Sequence, residues 1–229
     1  AYEASRIALK YMTPVVLLSD GYLANGSEPW KIPNVKDLEP IDVKFAKGSK
    51  SKDNYLPYKR DNKTLSRPWA IPGTPGLEHR VGGLEKAENT GHVSYDPDNH
   101  QRMVELRQEK VNRIQDDIAK TEVYGDNNGD VLIVSWGGTY GSCRSAVETL
   151  HEDGKSVSHI HLRWISPLPK DLGEIIIKFK NVLVPEINMG QLIKLLRAEY
   201  LVDAKGLNQV TGRPISATRI IENVNQLIR

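Results

Sequence analysis

The sequence predicts an α/β protein, on three observations. From Asp130 onward, apolar runs of strand length alternate with stretches of helical period, the pattern of a parallel sheet with right-handed crossovers. Ahead of it, from Glu28 to about Gly91, lies a long stretch rich in proline and glycine that has neither period. At the front, one amphipathic helix leads into one short apolar run, a single α/β unit that cannot make a domain alone.

Residues 1–12 place Ala4, Ile7, Ala8 and Tyr11 on one helical face, and Thr13-Pro14 ends that helix. Val15 to Leu18 then reads as a buried parallel strand, with Ser19, Asp20 and Gly21 as the turn leaving it. The chain lacks an initiating Met and starts already helical, so it reads as a piece of something longer. The proline-rich stretch carries Trp30, Phe45, Tyr55, Tyr58 and Trp69, aromatics expected to anchor it against a surface rather than leave it disordered. Asp96 and Asp98 offer caps for a helix from about Asn99 to Glu122, with Val104, Val111, Ile114 and Ile118 as its apolar stripe. Gly125 to Gly129 breaks it.

Strands then follow at 131–136, 157–164 and 182–187, with helices at 141–152, 170–179 and 190–201. Asp153-Gly154 closes the first of these helices, and Pro167 and Pro169 frame the start of the second. Ser216 is the expected cap of a last helix whose apolar face holds Ile220, Ile221, Val224, Leu227 and Ile228.

Composition narrows the function classes. With 229 residues, 39% hydrophobic and 26% charged, the chain is of ordinary globular type. Its formal net charge of +2 argues for neither nucleic acid nor an acidic membrane as partner. The single cysteine, Cys143, rules out an internal disulfide, a Cys-rich zinc site or an iron-sulfur cluster held by this chain alone, and fits a reducing cytoplasm. No run approaches the ~18 apolar residues of a membrane span, and the N-terminus has no signal-peptide core.

Several constellations invite chemistry. The turn Gly137-Gly138-Thr139-Tyr140-Gly141 follows a buried strand, as in dinucleotide-binding folds, but it is one glycine short of G-x-G-x-x-G. The next strand ends in Arg163 and Trp164 with no carboxylate for a ribose, so a structural turn is the better reading. Cys143 falls with Ala146, Val147 and Leu150 on one helical stripe, which makes it a buried, inert thiol. His159 and His161 share one strand face but have no evident third ligand, so packing under a helix or at a subunit contact is preferred to metal binding. Asp20-Gly21 and Gly125 to Asn128 each echo part of a thiamin diphosphate motif and read as turns. Glu78, His79 and Arg80 lie between rigid glycine and proline clusters, a candidate binding loop or a structural clamp. Lys47 to Lys52, with Lys59 and Arg60, is a basic run that is either solvated or meets a phosphate-bearing ligand or acidic protein. Thr139, Glu186, Asn188 and Gln191 lie at the carboxyl edge of the expected sheet, where open α/β sheets meet ligands or partners.

Longer blocks carry a more specific signal: residues 10–30 (KYMTPVVLLSDGYLANGSEPW), 56–60 (LPYKR), 67–80 (RPWAIPGTPGLEHR), 93–97 (VSYDP), 184–191 (VPEINMGQ) and 196–200 (LRAEY). By these the chain resembles the alpha subunit of 2-oxoacid:ferredoxin oxidoreductases, of the 2-oxoglutarate type, over essentially its whole length. The resemblance implies a parallel-sheet domain like the transketolase C-terminal domain at 126–229, preceded by an irregular connector with a long helix at 31–125. Residues 1–30 would be the last α/β unit of a truncated pyrimidine-side thiamin domain. The enzyme so implied oxidatively decarboxylates a 2-oxoacid to an acyl-CoA, using thiamin diphosphate and iron-sulfur clusters. Its partners would be a thiamin-diphosphate-carrying beta subunit, ferredoxin and the upstream part of the same subunit. The family's catalytic glutamate and 2-oxoacid motif would lie upstream of Ala1, so the expectation is a chain with no catalytic residue, metal or cofactor of its own and no activity alone. The alternatives are a pyruvate or branched-chain 2-oxoacid enzyme, a nucleotide-binding regulatory domain, or a non-catalytic interaction module.

Overall fold

The computed structural model describes residues 1–48 and 55–228. They form two compact units, Ala1–Leu17 with Trp30–Asp117, and Leu18–Pro29 with Ile118–Arg229. Leu18–Pro29 thus groups with the α/β part, and the front helix groups with the connector.

In the first unit, α1 (Tyr2–Tyr11) buries Ile7 and Tyr11 and ends at Met12 in the left-handed conformation. The run after it is not the expected buried strand. Val15 to Leu18 pairs with nothing among the described residues, and Val16, Leu17 and Leu18 are exposed, Val16 to 78%. An apolar run becomes a strand only where a neighbour satisfies its amides, and the described sheet lies elsewhere in sequence.

The connector is held by a few specific contacts. Trp69 pairs its backbone around Phe45, donating to the Lys44 carbonyl at 2.8 Å while Ala46 donates to its own carbonyl at 2.8 Å. Its indole Nε1 donates to the carbonyl of Leu9 on α1 at 3.2 Å. Tyr55 and Tyr58 are half-buried, but Trp30 and Phe45 are exposed, so only three of the five expected anchors are covered. Buried Lys86 donates to the carbonyls of Gly82 and Leu84, closing the loop that precedes the long helix.

That helix, α3 (Pro97–Arg113), starts at its proline because Asp96 caps it, accepting from the Asn99 amide at 2.7 Å. A five-residue helix, α2 (Gly21–Asn25), precedes it in the chain and belongs to the second unit. α3 ends nine residues before the expected Glu122 and passes through a 3-10 turn at Ile114–Asp116. The next residue, Asp117, is drawn to α1 by ion pairs with Arg6 at 3.2 Å and Lys10 at 2.8 Å, and a tertiary pull of this kind overrides helical period. The buried stripe is Met103, Leu106 and Ile114; the expected Val104 is 44% exposed and Val111 half-buried.

The second unit contains β1 (Val123–Tyr124), β2 (Gly129–Trp136), α4 (Tyr140–Glu152), β3 (Val157–Leu162), α5 (Leu172–Ile176), β4 (Phe179–Glu186), α6 (Gln191–Tyr200), β5 (Lys205–Asn208) and α7 (Ala217–Leu227). The strand order is β1-β3-β2-β4-β5, parallel except for β1, which runs antiparallel to β3. Alternate residues of β2 face opposite sides. Val131 and Ile133 join Cys143, Ala146, Val147 and Leu150 of α4 and Ile220 and Val224 of α7. Leu132 and Val134 join Leu172 and Ile176 of α5 and Leu192 and Leu196 of α6. This is the mixed, mostly parallel, helix-covered sheet expected, with two edge strands that the sequence pattern does not show. β1 has two residues, and β5 buries only Leu207 of Lys-Gly-Leu-Asn, too few for any period to be visible. α5 is half the expected length because Phe179 turns into the core to open β4 and Asp171 is engaged by the Thr121 amide and hydroxyl. Ser216 caps α7, accepting from the Arg219 amide at 3.3 Å.

Candidate functional site

The carboxyl ends of β2 and β4 bring together four of the residues singled out from sequence. Glu186, the last residue of β4, is fully buried. Its carboxylate accepts from the Leu192 amide at 2.8 Å and the Ile193 amide at 3.1 Å, the free donors of the first turn of α6. It also accepts from Trp136 Nε1 at 3.3 Å and Asn188 Nδ2 at 3.1 Å, so two strand ends and one helix start are tied to one anion. Placing a carboxylate there also satisfies the positive end of the helix. Asn188 Oδ1 accepts from the amides of Gly190 at 2.8 Å and Gln191 at 3.0 Å, turning the chain into α6 through Gly190 at φ 83°. Thr139 clasps the turn after β2, its hydroxyl donating to the Trp136 carbonyl at 2.8 Å and accepting from the Trp136 amide at 3.3 Å. These acceptors are occupied by the chain's own donors, the mark of a brace rather than of groups held ready for a substrate.

The glycine turn has an anionic occupant supplied by the same unit. Asp20 caps α2 with Oδ1, which accepts from the Leu23 amide at 2.9 Å, while Oδ2 accepts from the Gly138 amide at 2.8 Å. A Cβ on Gly138 would collide with that carboxylate, and Gly137 sits at φ 57°, so both glycines are required by geometry. The turn therefore receives a carboxylate where a nucleotide fold would receive a phosphate. Asp20 is more than the simple turn residue expected, and its distance of 118 positions from Gly138 hides that role from any local reading.

Beneath the start of α4, Ser135 joins the two histidines. Its hydroxyl lies 2.6 Å from His159 Nε2 and 2.8 Å from His161 Nδ1; on the adjacent strand His161 is directly opposite Ser135, and His159 is opposite Ile133. Burial, with the neighbouring His161 and Arg144 charges, pulls His159 down to about 4, and burial likewise lowers His161. Both imidazoles are then neutral near pH 7, and one takes the hydroxyl proton while the other donates its N–H to the same oxygen. Tyr140 covers the pair, its ring 5.8 Å from that of His159 and 5.1 Å from that of His161. Ser135 and Cys143 are fully buried, and burial pushes the Cys143 thiol up to about 12, so neither is placed as a nucleophile. Among the described residues no group of three or more His, Cys, Asp or Glu side chains could hold a metal ion.

The remaining candidates lie in the first unit. Glu78 and Arg80 are exposed; Glu78 accepts from the Gly76 amide at 2.9 Å and so belongs to its own loop. His79 Nδ1 pairs with the Leu77 carbonyl at 2.8 Å, and its ring meets Tyr55 edge-on at 5.8 Å. Of the basic run, Ser49 to Asn54 lie outside the described residues; Lys59 is exposed, and Arg60 is half-buried against α3, with Nη2 3.6 Å from Met103 Sδ.

Residues 129–220 match the family model described as pyruvate:ferredoxin oxidoreductase core domain II. A relative from Mycobacterium tuberculosis, 2-oxoglutarate oxidoreductase subunit KorA, is 47% identical over 221 residues, covering 96% of this chain and 33% of that protein. The 2-oxoacid:ferredoxin oxidoreductase 1 subunit alpha of Aeropyrum pernix is 29% identical over all of this chain and 36% of its own length. A solved structure of 2-oxoglutarate:ferredoxin oxidoreductase from Magnetococcus marinus, with 2-oxoglutarate, coenzyme A and succinyl-CoA bound, superposes with a TM-score of 0.89 at 33% identity, over 98% of this chain and 39% of that one. The chain is similar, along almost its whole length, to 2-oxoacid:ferredoxin oxidoreductase alpha subunits. It spans about a third of the length of these curated relatives.

The chemistry of such oxidoreductases sets a test for the residues present. A cluster needs several thiolates, typically about four, and this chain has one deeply buried cysteine. Of the two fragments that echo a diphosphate motif, the first has its carboxylate occupied and the second is held as a turn by its backbone. Asp20 is bonded to its own amides, and the Asp126 carbonyl accepts from Ser158 Oγ at 2.7 Å in the turn between β1 and β2. With one thiol, this chain cannot by itself supply the ligands of an iron-sulfur cluster. Among the described residues no helix is long and apolar enough to cross a membrane.

Proposed function

We propose that this chain is the C-terminal part of the alpha subunit of a 2-oxoglutarate:ferredoxin oxidoreductase. In that reading the enzyme oxidatively decarboxylates 2-oxoglutarate, hands the two electrons to ferredoxin and leaves the acyl group on CoA. The reading is carried by the 47% identity, along 221 residues, to a protein named as a 2-oxoglutarate oxidoreductase subunit. The bound 2-oxoglutarate and succinyl-CoA of the Magnetococcus marinus structure support the choice of 2-oxoacid over pyruvate or a branched-chain acid. Thiamin diphosphate and the clusters sit on other parts of the enzyme, residues 1–30 complete a thiamin-binding domain begun upstream, and this chain braces them. The self-satisfied polar edge at Glu186, Asn188 and Thr139 supports that bracing role. The exposed Glu78 and Arg80, with Lys59 and Gln191, are its proposed contacts to the beta subunit and to the upstream part.

The test is reconstitution. The complete alpha subunit co-produced with its thiamin-carrying partner is expected to reduce ferredoxin in the presence of 2-oxoglutarate and CoA, and the isolated 229 residues to give no turnover. Preference for pyruvate would overturn the substrate, and turnover by the isolated chain would overturn the bracing role.

A further inference from the structure

The Ser135 hydroxyl has one hydrogen and two imidazole nitrogens to serve, His159 Nε2 at 2.6 Å and His161 Nδ1 at 2.8 Å. One ring must therefore accept from the hydroxyl while the other donates to its oxygen. An added proton leaves both bonds intact at one place, the far nitrogen of the donating ring. His159 is 2% exposed and His161 is half-buried, so the ring that can meet a proton from water is His161, through Nε2. His161 is then the donor and His159 the neutral acceptor. A second proton would aim two N–H groups at one oxygen and turn the hydroxyl to its longer contact, the Ile160 carbonyl at 3.4 Å. It would also set two cations with ring centres 6.3 Å apart.

The surrounding charges oppose that second proton. α4 brings Arg144, paired with Glu148 at 2.8 Å and stacked at 3.1 Å on Tyr124, the residue that β1 sets opposite Nε2-bearing His159. It also brings Cys143, whose thiol burial keeps neutral, and β3 runs on to Arg163. Among the described residues no carboxylate is bonded to either imidazole. The first proton, by contrast, finds an attractive neighbour in Tyr140. That ring is the first residue of α4, 49% exposed, and lies 5.1 Å from the His161 ring at 74°, inside the reach of ~6 Å over which an aromatic face attracts a cation. We propose that Ser135, His159 and His161 form a one-proton switch in which His161 takes the proton, His159 keeps the Ser135 hydroxyl, and the new cation fastens the Tyr140 ring at the start of α4. Burial, and after it the Arg163 charge, lowers His161, so the switch closes on the acid side of the ordinary imidazole range. This inference rests on the second unit alone and is independent of the assignment as an oxidoreductase subunit.

The experiment is long-range proton–nitrogen NMR of the full chain carrying nitrogen-labelled histidine, titrated from about pH 7.5 to about pH 5. It reads the tautomer and the charge of each ring separately, with His159→Gln and His161→Gln giving the assignments. The expected result is that both rings carry their neutral proton on Nδ1, that His161 becomes doubly protonated as pH falls, and that His159 stays neutral after it. Tyr140→Leu should weaken proton binding at His161 about two- to fivefold, the scale of a cation–π contact, while Tyr140→Phe keeps the ring and titrates like the parent. Ser135→Ala should release His159 from its single tautomer into a mixture. Tyr140 is half-exposed, so its two variants remain informative if Ser135→Ala fails to fold. His159 charging before His161, or Tyr140→Leu titrating like Tyr140→Phe, would overturn the proposal, and so would a folded Ser135→Ala whose His159 keeps the parent tautomer.

Discussion

Asp20 and Gly138 show how much a single residue can decide here. The carboxylate gives one oxygen to its own helix and the other to the glycine turn, and only glycine leaves room for it. Gly138→Ala and Asp20→Ala should therefore each cost about 1–2 kcal/mol in denaturant unfolding, the scale of a lost charged cap. Because they break the same contact, the double variant should cost little more than either alone. The buried histidines set the pH response. With His159 near 4 folded against an ordinary value of 6.5, and His161 also lowered, the unfolded chain takes up protons first as pH falls. This contribution is fully present above pH ~6.5 and is lost progressively down to pH ~4, about 1.4 kcal/mol for each pKa unit of separation. Unfolding measured between pH 7 and 5 should show the loss, and a His159→Asn/His161→Asn variant should flatten it; an unchanged slope would count against neutral buried imidazoles. Cys143 was legible from sequence as a core residue because i, i+3, i+4 spacing places it on the apolar stripe of its helix, and the histidines were legible as neighbours on one strand face from their i, i+2 spacing. Asp20 was not, since its second partner is reached only through the fold.

At the scale of elements, strong periodicity located helices and central strands, and tertiary contacts set where they stop. α3 is the clearest case. Its stripe is Met103, Leu106 and Ile114, not the valine-centred one; Leu65 of the connector packs on Met103 and Leu106, and Tyr11 and Met12 at the end of α1 are bonded to Arg113 and Lys110. Leu106→Ala should cost ~2–4 kcal/mol as a buried truncation, whereas Val104→Ala, at a 44% exposed position, should stay within about 0.5 kcal/mol. Equal effects in equilibrium unfolding would reverse that assignment. The edge strands β1 and β5 escaped notice for a different reason: two and four residues, mostly not buried, contain no period to read.

At the scale of the whole molecule, apolar surface is left without cover. Val16, Leu17, Leu18, Tyr22 and Leu23 are each exposed within one short stretch of sequence, and exposed apolar side chains of this kind favour association. The isolated chain should self-associate through it, and Val16→Lys/Leu17→Lys should lower the apparent mass in light scattering while leaving unfolding within about 0.5 kcal/mol. An unchanged mass would show that the stretch is harmless in water. The sequence by itself determined the α/β class, the central parallel strands, the capped last helix, the inert cysteine and, through its long irregular blocks, the similarity to 2-oxoacid:ferredoxin oxidoreductase alpha subunits. These depend on local period or on extended identity, which survive in a linear string. Only the tertiary structure decided that Asp20 fills the glycine turn, that Glu186 ties β2 and β4 to α6, and that the front apolar run is unpaired. Each of those depends on which polar groups are brought within about 3–4 Å across long sequence separations, where hydrogen bonding and desolvation act and sequence spacing carries no information.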